Sequence, residues 1–125
     1  MSENRNPVNW FEIPVTDLGR AKKFYGDLLG HKLEDMQMPG SEMATFPMVQ
    51  GGEFTTGALV KSEYNQPSMS GSVVYFQCED VDNQIAKVES LGGKVLMPKT
   101  SIGEWGFIAH IADTEGNKVA LHSNK

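Results

Sequence analysis

The segment FEIPVTDLGRAKKFYGDLLG, residues 11 to 30, changes its hydrophobic periodicity halfway along, and this change decides the fold. Before Asp17 the apolar residues alternate with others, which is typical of a strand with one buried face. After Asp17 they recur at helical spacing, with Asp17 as a suitable N-cap and Gly30 as a suitable C-terminal stop. The segment predicts a strand over 8–15 followed at once by an amphipathic helix.

The same order of elements occurs a second time further along the chain. Three short strands are predicted after the first helix, and a polar stretch, 61–71, then serves as a connector. A second helix is predicted from Asp80 to the Gly92-Gly93 pair, again preceded by one strand and followed by three. After the strand at 8–15, the remaining seven predicted strands are 31–36, 44–50, 54–60, 72–78, 94–97, 106–112 and 118–122.

Strand, helix and three strands therefore form two βαβββ modules, at 8–60 and 72–125, within a single domain over residues 1–125. The predicted class is α+β, with the helices outside and the uncovered faces of the two sheets forming a cup. A cup of this kind is a natural small-molecule site. Alternation assigns to this cup face Trp10, Glu12, Thr56, Ala58, Val73, Tyr75, Gln77, Ile108, His110, Ala120 and His122. The opposite face is almost wholly apolar: Phe11, Ile13, Val15, Val74, Phe76, Cys78, Phe107, Ala109, Ile111, Val119 and Leu121.

The bulk composition indicates where the protein works and excludes some partners. Its 125 residues carry a formal net charge of −5 from 11 basic and 16 acidic side chains, which argues against nucleic acid as a partner. No apolar run is long enough to cross a bilayer, and residues 1–7 do not resemble a signal peptide. The single cysteine, Cys78, has no partner for an internal disulfide. We expect a soluble cytoplasmic protein with no membrane partner.

Several segments resemble one known family. The 11–30 segment is similar to the first strand and helix of the vicinal oxygen chelate superfamily, and DTEGNKVALHS, residues 113–123, is similar to its last hairpin. EDVD at 79–82 and SLGGKVL at 90–96 resemble the start and end of its second helix. The superfamily includes glyoxalase I, extradiol dioxygenases, fosfomycin resistance enzymes and bleomycin-binding proteins. The resemblance implies paired βαβββ modules and a homodimer, with clefts that are often shared between chains.

The resemblance also implies four positions that would hold a divalent metal ion on the cup face. They fall on Trp10, Ala58, Val73 and Ala120. None of these side chains offers a lone pair that such a cation would choose. We therefore predict no metal site and no cofactor.

Three polar side chains on the predicted cup face are candidates for chemistry. Glu12, His110 and His122 would supply a carboxylate and two imidazoles for proton transfer or for anchoring a ligand. They would alternatively be ordinary polar positions near the rim, or a metal site of two histidines and one carboxylate. Trp105, in the loop IGEWGF, would either cover the mouth of the cup or pack on a partner chain.

Three classes of function remain open from the sequence. The first is a binding protein that holds a small molecule against aromatic side chains without a metal. The second is an enzyme, either metal-dependent in the manner of glyoxalase or dioxygenase, or metal-free through Glu12 and a histidine. The third is an accessory domain whose cup is filled by its own side chains. In the first class the ligand would contact Trp10, Ala58, Val73, Tyr75, Gln77, Trp105 and Ala120.

Overall fold

The computed structural model describes residues 7–48 and 55–125 as two four-stranded sheets with two helices. The first sheet has the order β1-β4-β3-β2, and the second has the matching order β5-β8-β7-β6. The elements are β1 (Trp10–Pro14), α1 (Leu18–Leu29), β2 (Glu34–Met38), β3 (Ser41–Thr45), β4 (Thr56–Ser62), β5 (Tyr75–Gln77), α2 (Val81–Val88), β6 (Lys94–Ser101), a 3₁₀ turn (Gly103–Trp105), β7 (Phe107–Ala112) and β8 (Lys118–Ser123). The predicted α+β class with two βαβββ modules is confirmed.

The first helix follows the local signals in the sequence closely. The carboxylate of Asp17 accepts a hydrogen bond from the Arg20 N–H, and Gly30 ends the helix in the left-handed conformation at φ 72°. The N–H groups of Gly30 and His31 both donate to the Gly26 carbonyl. Because of this closing turn the next strand starts later than predicted. The prediction placed its start at residue 31, whereas β2 begins at Glu34.

Other strand limits also differ from the prediction. The strand predicted over 44–50 lies at Ser41–Thr45, because the Pro39-Gly40 turn is followed directly by the strand. That prediction is wrong for residues 46–48, which lie in no strand. Its last two residues, the Gly51-Gly52 turn and the start of the 54–60 strand fall within residues 49–54, outside the described residues. The second helix ends at Val88 instead of reaching Gly92, because residues 89–92 form turns.

One apolar cluster draws buried residues from both modules. Phe24, Tyr25 and Leu28 of α1 pack in it with Ile111, Val119 and Leu121 of the second sheet. Both helices lie on this side of the sheets, as their apolar faces require. The cup face, on the other side, is therefore free of helices. No helix within residues 7–48 and 55–125 is long and apolar enough to cross a membrane.

The two sheets meet along their edge strands β1 and β5. The rings of Phe11 and Phe76 are 5.8 Å apart on the helix side, and Asn117 Nδ2 donates to the Pro14 carbonyl oxygen at 2.7 Å. These contacts bring the first strands of the two modules side by side.

Candidate functional site

On the first sheet, the cup face carries an indole and a carboxylate that contact each other. Trp10 Nε1 donates to Glu12 Oε2 at 3.2 Å, and both side chains are exposed. Glu12 pairs in register with Ala58 of β4, and Ala58 is 0% exposed. Ala58 packs with Met43 and Val60, which form a small apolar floor beside Trp10.

On the second sheet, a tyrosine and a histidine meet above an alanine. Ala120 of β8 is flanked in register by Tyr75 of β5 and by His110 of β7. The Tyr75 hydroxyl and His110 Nε2 are 3.2 Å apart, and Ala120 beneath them is 0% exposed. Only a small side chain at position 120 leaves room for this hydrogen bond.

The charge state of His110 follows from its surroundings. Partial burial lowers its pKa, and the positive charge of nearby Lys118 lowers it further. A neutral imidazole has one donor and one acceptor nitrogen, so the tautomer of His110 sets which group donates in its hydrogen bond with the Tyr75 hydroxyl. This pair presents one aromatic ring and one exposed hydroxyl to the cup.

His122 of β8 contacts both Gln77 of β5 and the 3₁₀ turn. Its Nε2 lies 2.7 Å from the Trp105 carbonyl oxygen, and its Nδ1 lies 2.8 Å from Gln77 Oε1. Since a carbonyl only accepts, Nε2 carries a hydrogen directed at Trp105. His122 therefore holds the backbone of the turn, whereas the Trp105 indole is 72% exposed.

The remaining predicted contact on β5 needs a correction. Val73 was predicted to lie in a strand running from residue 72, but β5 begins at Tyr75, and Val73 is half-buried in the segment before it. The Val74 carbonyl already accepts a hydrogen bond from the Ala120 N–H, and the strand register with β8 then runs from Tyr75 to Gln77.

Glu12, His110 and His122 do not form one hydrogen-bonded set. The carboxylate contacts Trp10, His110 contacts Tyr75, and His122 contacts Gln77 and Trp105. Among residues 7–48 and 55–125 there is no group of three or more His, Cys, Asp or Glu side chains able to hold a metal ion.

The metal site implied by the family resemblance does not fit the residues present. The four corresponding positions hold Trp10, Ala58, Val73 and Ala120, which offer no ligand atom for zinc, nickel or manganese. Ala58 and Ala120 are fully covered by their neighbours. A hydrogen bond between Tyr75 and His110 also occupies the space above Ala120.

A small cavity with a mixed polar and apolar lining, which we call the junction cavity, opens where the two modules meet. Its volume is about 230 Å³, and it is bounded by β1, by the start of β8 and by the connector. Its polar lining residues are Glu12, Gln66, Ser68, Ser70, Ser72, Asn117 and Lys118, and its apolar ones are Ile13, Pro14, Val74 and Val119. Sequence reasoning assigned none of the polar ones except Glu12, although Lys118 alternates with Ala120 and His122 and so belongs to the same face of β8.

Two larger cavities flank the first sheet. One, of about 490 Å³, is lined by Trp10 together with the aromatic residues Phe11, Phe46 and Phe76. The other, of about 560 Å³, lies beside the β2–β3 turn and is lined mainly by polar residues. Neither of these two cavities includes Tyr75.

Two βαβββ modules with one shared core and a helix-free cup face define the glyoxalase-like class of fold. Residues 8–121 match the sequence profile of the Glyoxalase/Bleomycin resistance protein/Dioxygenase superfamily, and the chain belongs to this family.

Individual relatives agree with this assignment. A glyoxylase-like domain-containing protein of Didymella fabae is 32% identical over 123 residues, which cover 91% of each chain. CFP32 of Mycobacterium bovis, a candidate glyoxylase, is 32% identical over 90% of this chain, and the chain spans only 44% of that relative. The crystal structure of TnmS3, an antibiotic binding protein from Streptomyces sp. CB03234, is similar with a TM-score of 0.70 and 25% identity over 99% of this chain and 100% of that one.

Proposed function

We propose that this protein binds a planar aromatic small molecule on its cup face without the help of a metal ion. The observation that carries the proposal is the pair of buried alanines, Ala58 and Ala120, at the family's metal positions. The hydrogen bond between Tyr75 and His110 above Ala120 supports it, because a glutamate there would displace one of these rings. Without a cation, binding must come from ring contact and hydrogen bonds.

The exposed aromatic side chains supply the ring contact. Trp10 is 36% exposed on the first sheet, Tyr75 is 49% exposed on the second, and Trp105 projects from the turn held by His122. Offset or edge-on stacking on one such ring contributes about 0.5–1.5 kcal/mol beyond the buried area. The similarity to an antibiotic binding protein of almost equal length also favours a binding role.

Calorimetric titration with 2-naphthol, a neutral planar probe, tests this proposal. We expect Trp10→Ala to raise the Kd by about tenfold, equivalent to about 1.4 kcal/mol. Tyr64→Ala is the matched control, because Tyr64 is 80% exposed in the connector and lies outside the cup face. EDTA should leave the wild-type Kd unchanged, and metal analysis of the purified protein should find less than one equivalent.

Two outcomes would reject the proposal. One is that 2-naphthol does not bind at any concentration at which it is soluble, or that it binds wild type and Trp10→Ala with the same Kd. The other is loss of binding in EDTA with recovery on adding zinc, nickel or manganese. In the second case Glu12, His110 and His122 are the first residues to replace, because they are the cup-face side chains able to bind a metal.

A metal-free acid/base enzyme is the second candidate function. It is favoured by the contact between the Tyr75 hydroxyl and a His110 whose pKa is lowered by burial and by Lys118. A neutral imidazole beside a phenol can accept a proton from a bound substrate. Turnover of a substrate that disappears in His110→Gln, with binding retained, would favour this candidate over simple binding.

The assembly and location of the protein stay predictions. A homodimer is expected from the family resemblance and from the exposed edge strand β2, whose five residues are all exposed. Sedimentation at micromolar concentration checks this, and a pure monomer would contradict it. A cytoplasmic location also stays a prediction.

A further inference from the structure

The junction cavity continues the cup face at the point where the aromatic side chains end. On β1, Glu12 follows Trp10 on the same face, and on β8, Lys118 precedes Ala120 on the same face. An aromatic ring resting against Trp10 or Tyr75 would therefore direct one of its substituents toward this cavity.

We propose that the junction cavity holds a hydroxylated, sugar-like ring attached to the aromatic ligand. This inference rests on the proposed function, because the aromatic part must bind on the cup face. It narrows the ligand from aromatic molecules in general to aromatic compounds that carry a glycosyl-type substituent.

The walls of the cavity are fixed before any ligand arrives. The backbone N–H of Lys118 donates to the Ser68 carbonyl at 3.3 Å, and the Ser68 N–H donates to Asn117 Oδ1 at 3.0 Å. The Ser70 N–H in turn donates to Ser68 Oγ at 3.0 Å. These hydrogen bonds attach the connector to the start of β8, so its serine residues form one side of the cavity in the absence of a ligand.

The polar groups of the cavity match hydroxyls better than they match an ion. Glu12 only accepts hydrogen bonds, Lys118 only donates them, and the hydroxyl of a serine such as Ser70 does both. A ligand of either charge would meet a like charge in the cavity, at Glu12 or at Lys118. A neutral ring with adjacent hydroxyls both donates and accepts, and so suits all of these groups.

The remaining partners and the volume agree with this assignment. Lys118 takes part in no ion pair within residues 7–48 and 55–125. The Glu12 carboxylate accepts one bond from Trp10 and retains further acceptor capacity. A volume of about 230 Å³ corresponds to about eight water molecules at ~30 Å³ each, enough for one six-membered ring with its hydroxyls.

The test compares three naphthyl probes by calorimetric titration: 2-naphthol, 2-naphthyl β-D-glucoside and 2-(cyclohexyloxy)naphthalene. The last has a ring of similar size without hydroxyls. We expect the wild-type protein to bind the glucoside at least about tenfold more tightly than either other probe, through two or more new hydrogen bonds. Lys118→Met should reduce this preference to about twofold or less while leaving the Kd for 2-naphthol unchanged.

Two further variants make the result decisive. Ser70 is exposed, and its hydroxyl makes no hydrogen bond with the part of the chain that the structure describes, so Ser70→Ala should leave the fold unchanged and reduce the preference partially. Lys87→Met on the exposed side of α2 is the matched control and should keep the full preference.

Equal binding of glucoside and naphthol overturns this inference but leaves the proposed function intact. A preference that persists in Lys118→Met, or tighter binding of the cyclohexyl probe, also overturns it. Failure of all three probes rejects the proposed function itself.

Discussion

Replacing Asp113 with alanine is expected to lower the free energy of unfolding by about 3 kcal/mol. Asp113 is buried in the β7–β8 turn and accepts four hydrogen bonds. Its Oδ1 accepts from the N–H groups of Glu115 and Asn117 at 2.8 and 2.9 Å, and its Oδ2 accepts from Tyr25 OH at 2.6 Å and from Asn117 Nδ2 at 2.9 Å. Alanine would leave several buried donors without an acceptor.

The largest part of this energetic cost should come from the Tyr25 hydroxyl, because Tyr25 is fully buried in the core. Burial and the charge of Asp113 raise the pKa of Tyr25 well above its ordinary value, so the phenol stays protonated and needs an acceptor. Once Tyr25→Phe removes that donor, Asp113→Ala should cost less than it does in the wild type. Urea unfolding of the two single variants and the double variant measures this coupling.

Asp27→Ala is the matched control for the Asp113 prediction. On the exposed face of α1, Asp27 forms an i,i+4 ion pair with Lys23, its one ion pair among the described residues, and such a pair contributes about 0.5 kcal/mol or less. A loss below about 1 kcal/mol in Asp113→Ala would contradict the prediction. The consequence reaches the site, because this turn fixes the register in which His110 and Ala120 face the cup.

Replacing Glu115 with glutamine should lower stability by about 2 kcal/mol at pH 7 and by almost nothing near pH 2. Burial by itself would raise the pKa of Glu115. Hydrogen bonds from the Arg20 guanidinium and from the N–H groups of Asp17 and Thr16 outweigh it and lower the pKa to about 2. Arg20 is half exposed, so solvent screening makes the stabilisation smaller than the fall in the pKa from 4.5 to about 2 would give by itself.

The sign of the pH dependence follows from this depressed pKa. A carboxyl group whose pKa is lower in the folded state stabilises the protein above its unfolded pKa and loses that effect as the pH falls. The wild type should therefore lose stability between about pH 4.5 and pH 2, and Glu115→Gln should lack this part of the decline. Glu89→Gln, an exposed substitution at the end of α2, is the control. Parallel pH curves for wild type and Glu115→Gln would contradict the prediction.

The Asp113–Asn117 turn therefore joins the two modules through side chains of the second. Glu115 binds the N-terminus of α1, and Asn117 binds the end of β1. A family motif that reads as a simple hairpin turn thus also orients the first module against the second. Since the cup face exists only where the modules meet, the turn supports the site without touching a ligand.

The sequence by itself determined the local elements and the faces of the strands. The limits of α1 follow from Asp17 and Gly30, because capping depends on residues adjacent in the chain. Strand alternation placed Trp10, Tyr75, His110 and His122 on one side, since side chains alternate wherever a strand forms. That the side chains at positions 58 and 120 have no atom able to bind a metal ion follows from their residue type, alanine.

Only the tertiary structure decided which side chains meet. The Tyr75–His110 bond spans 35 residues and the contact of Thr16 with Glu115 spans 99, and no local pattern encodes such pairs. The separation of Glu12 from the two histidines, the hold of His122 on Trp105 and the junction cavity likewise depend on how the two sheets pack. Local signals fix periodicity and caps, whereas the position of one module against the other is set by contacts between residues far apart in the chain.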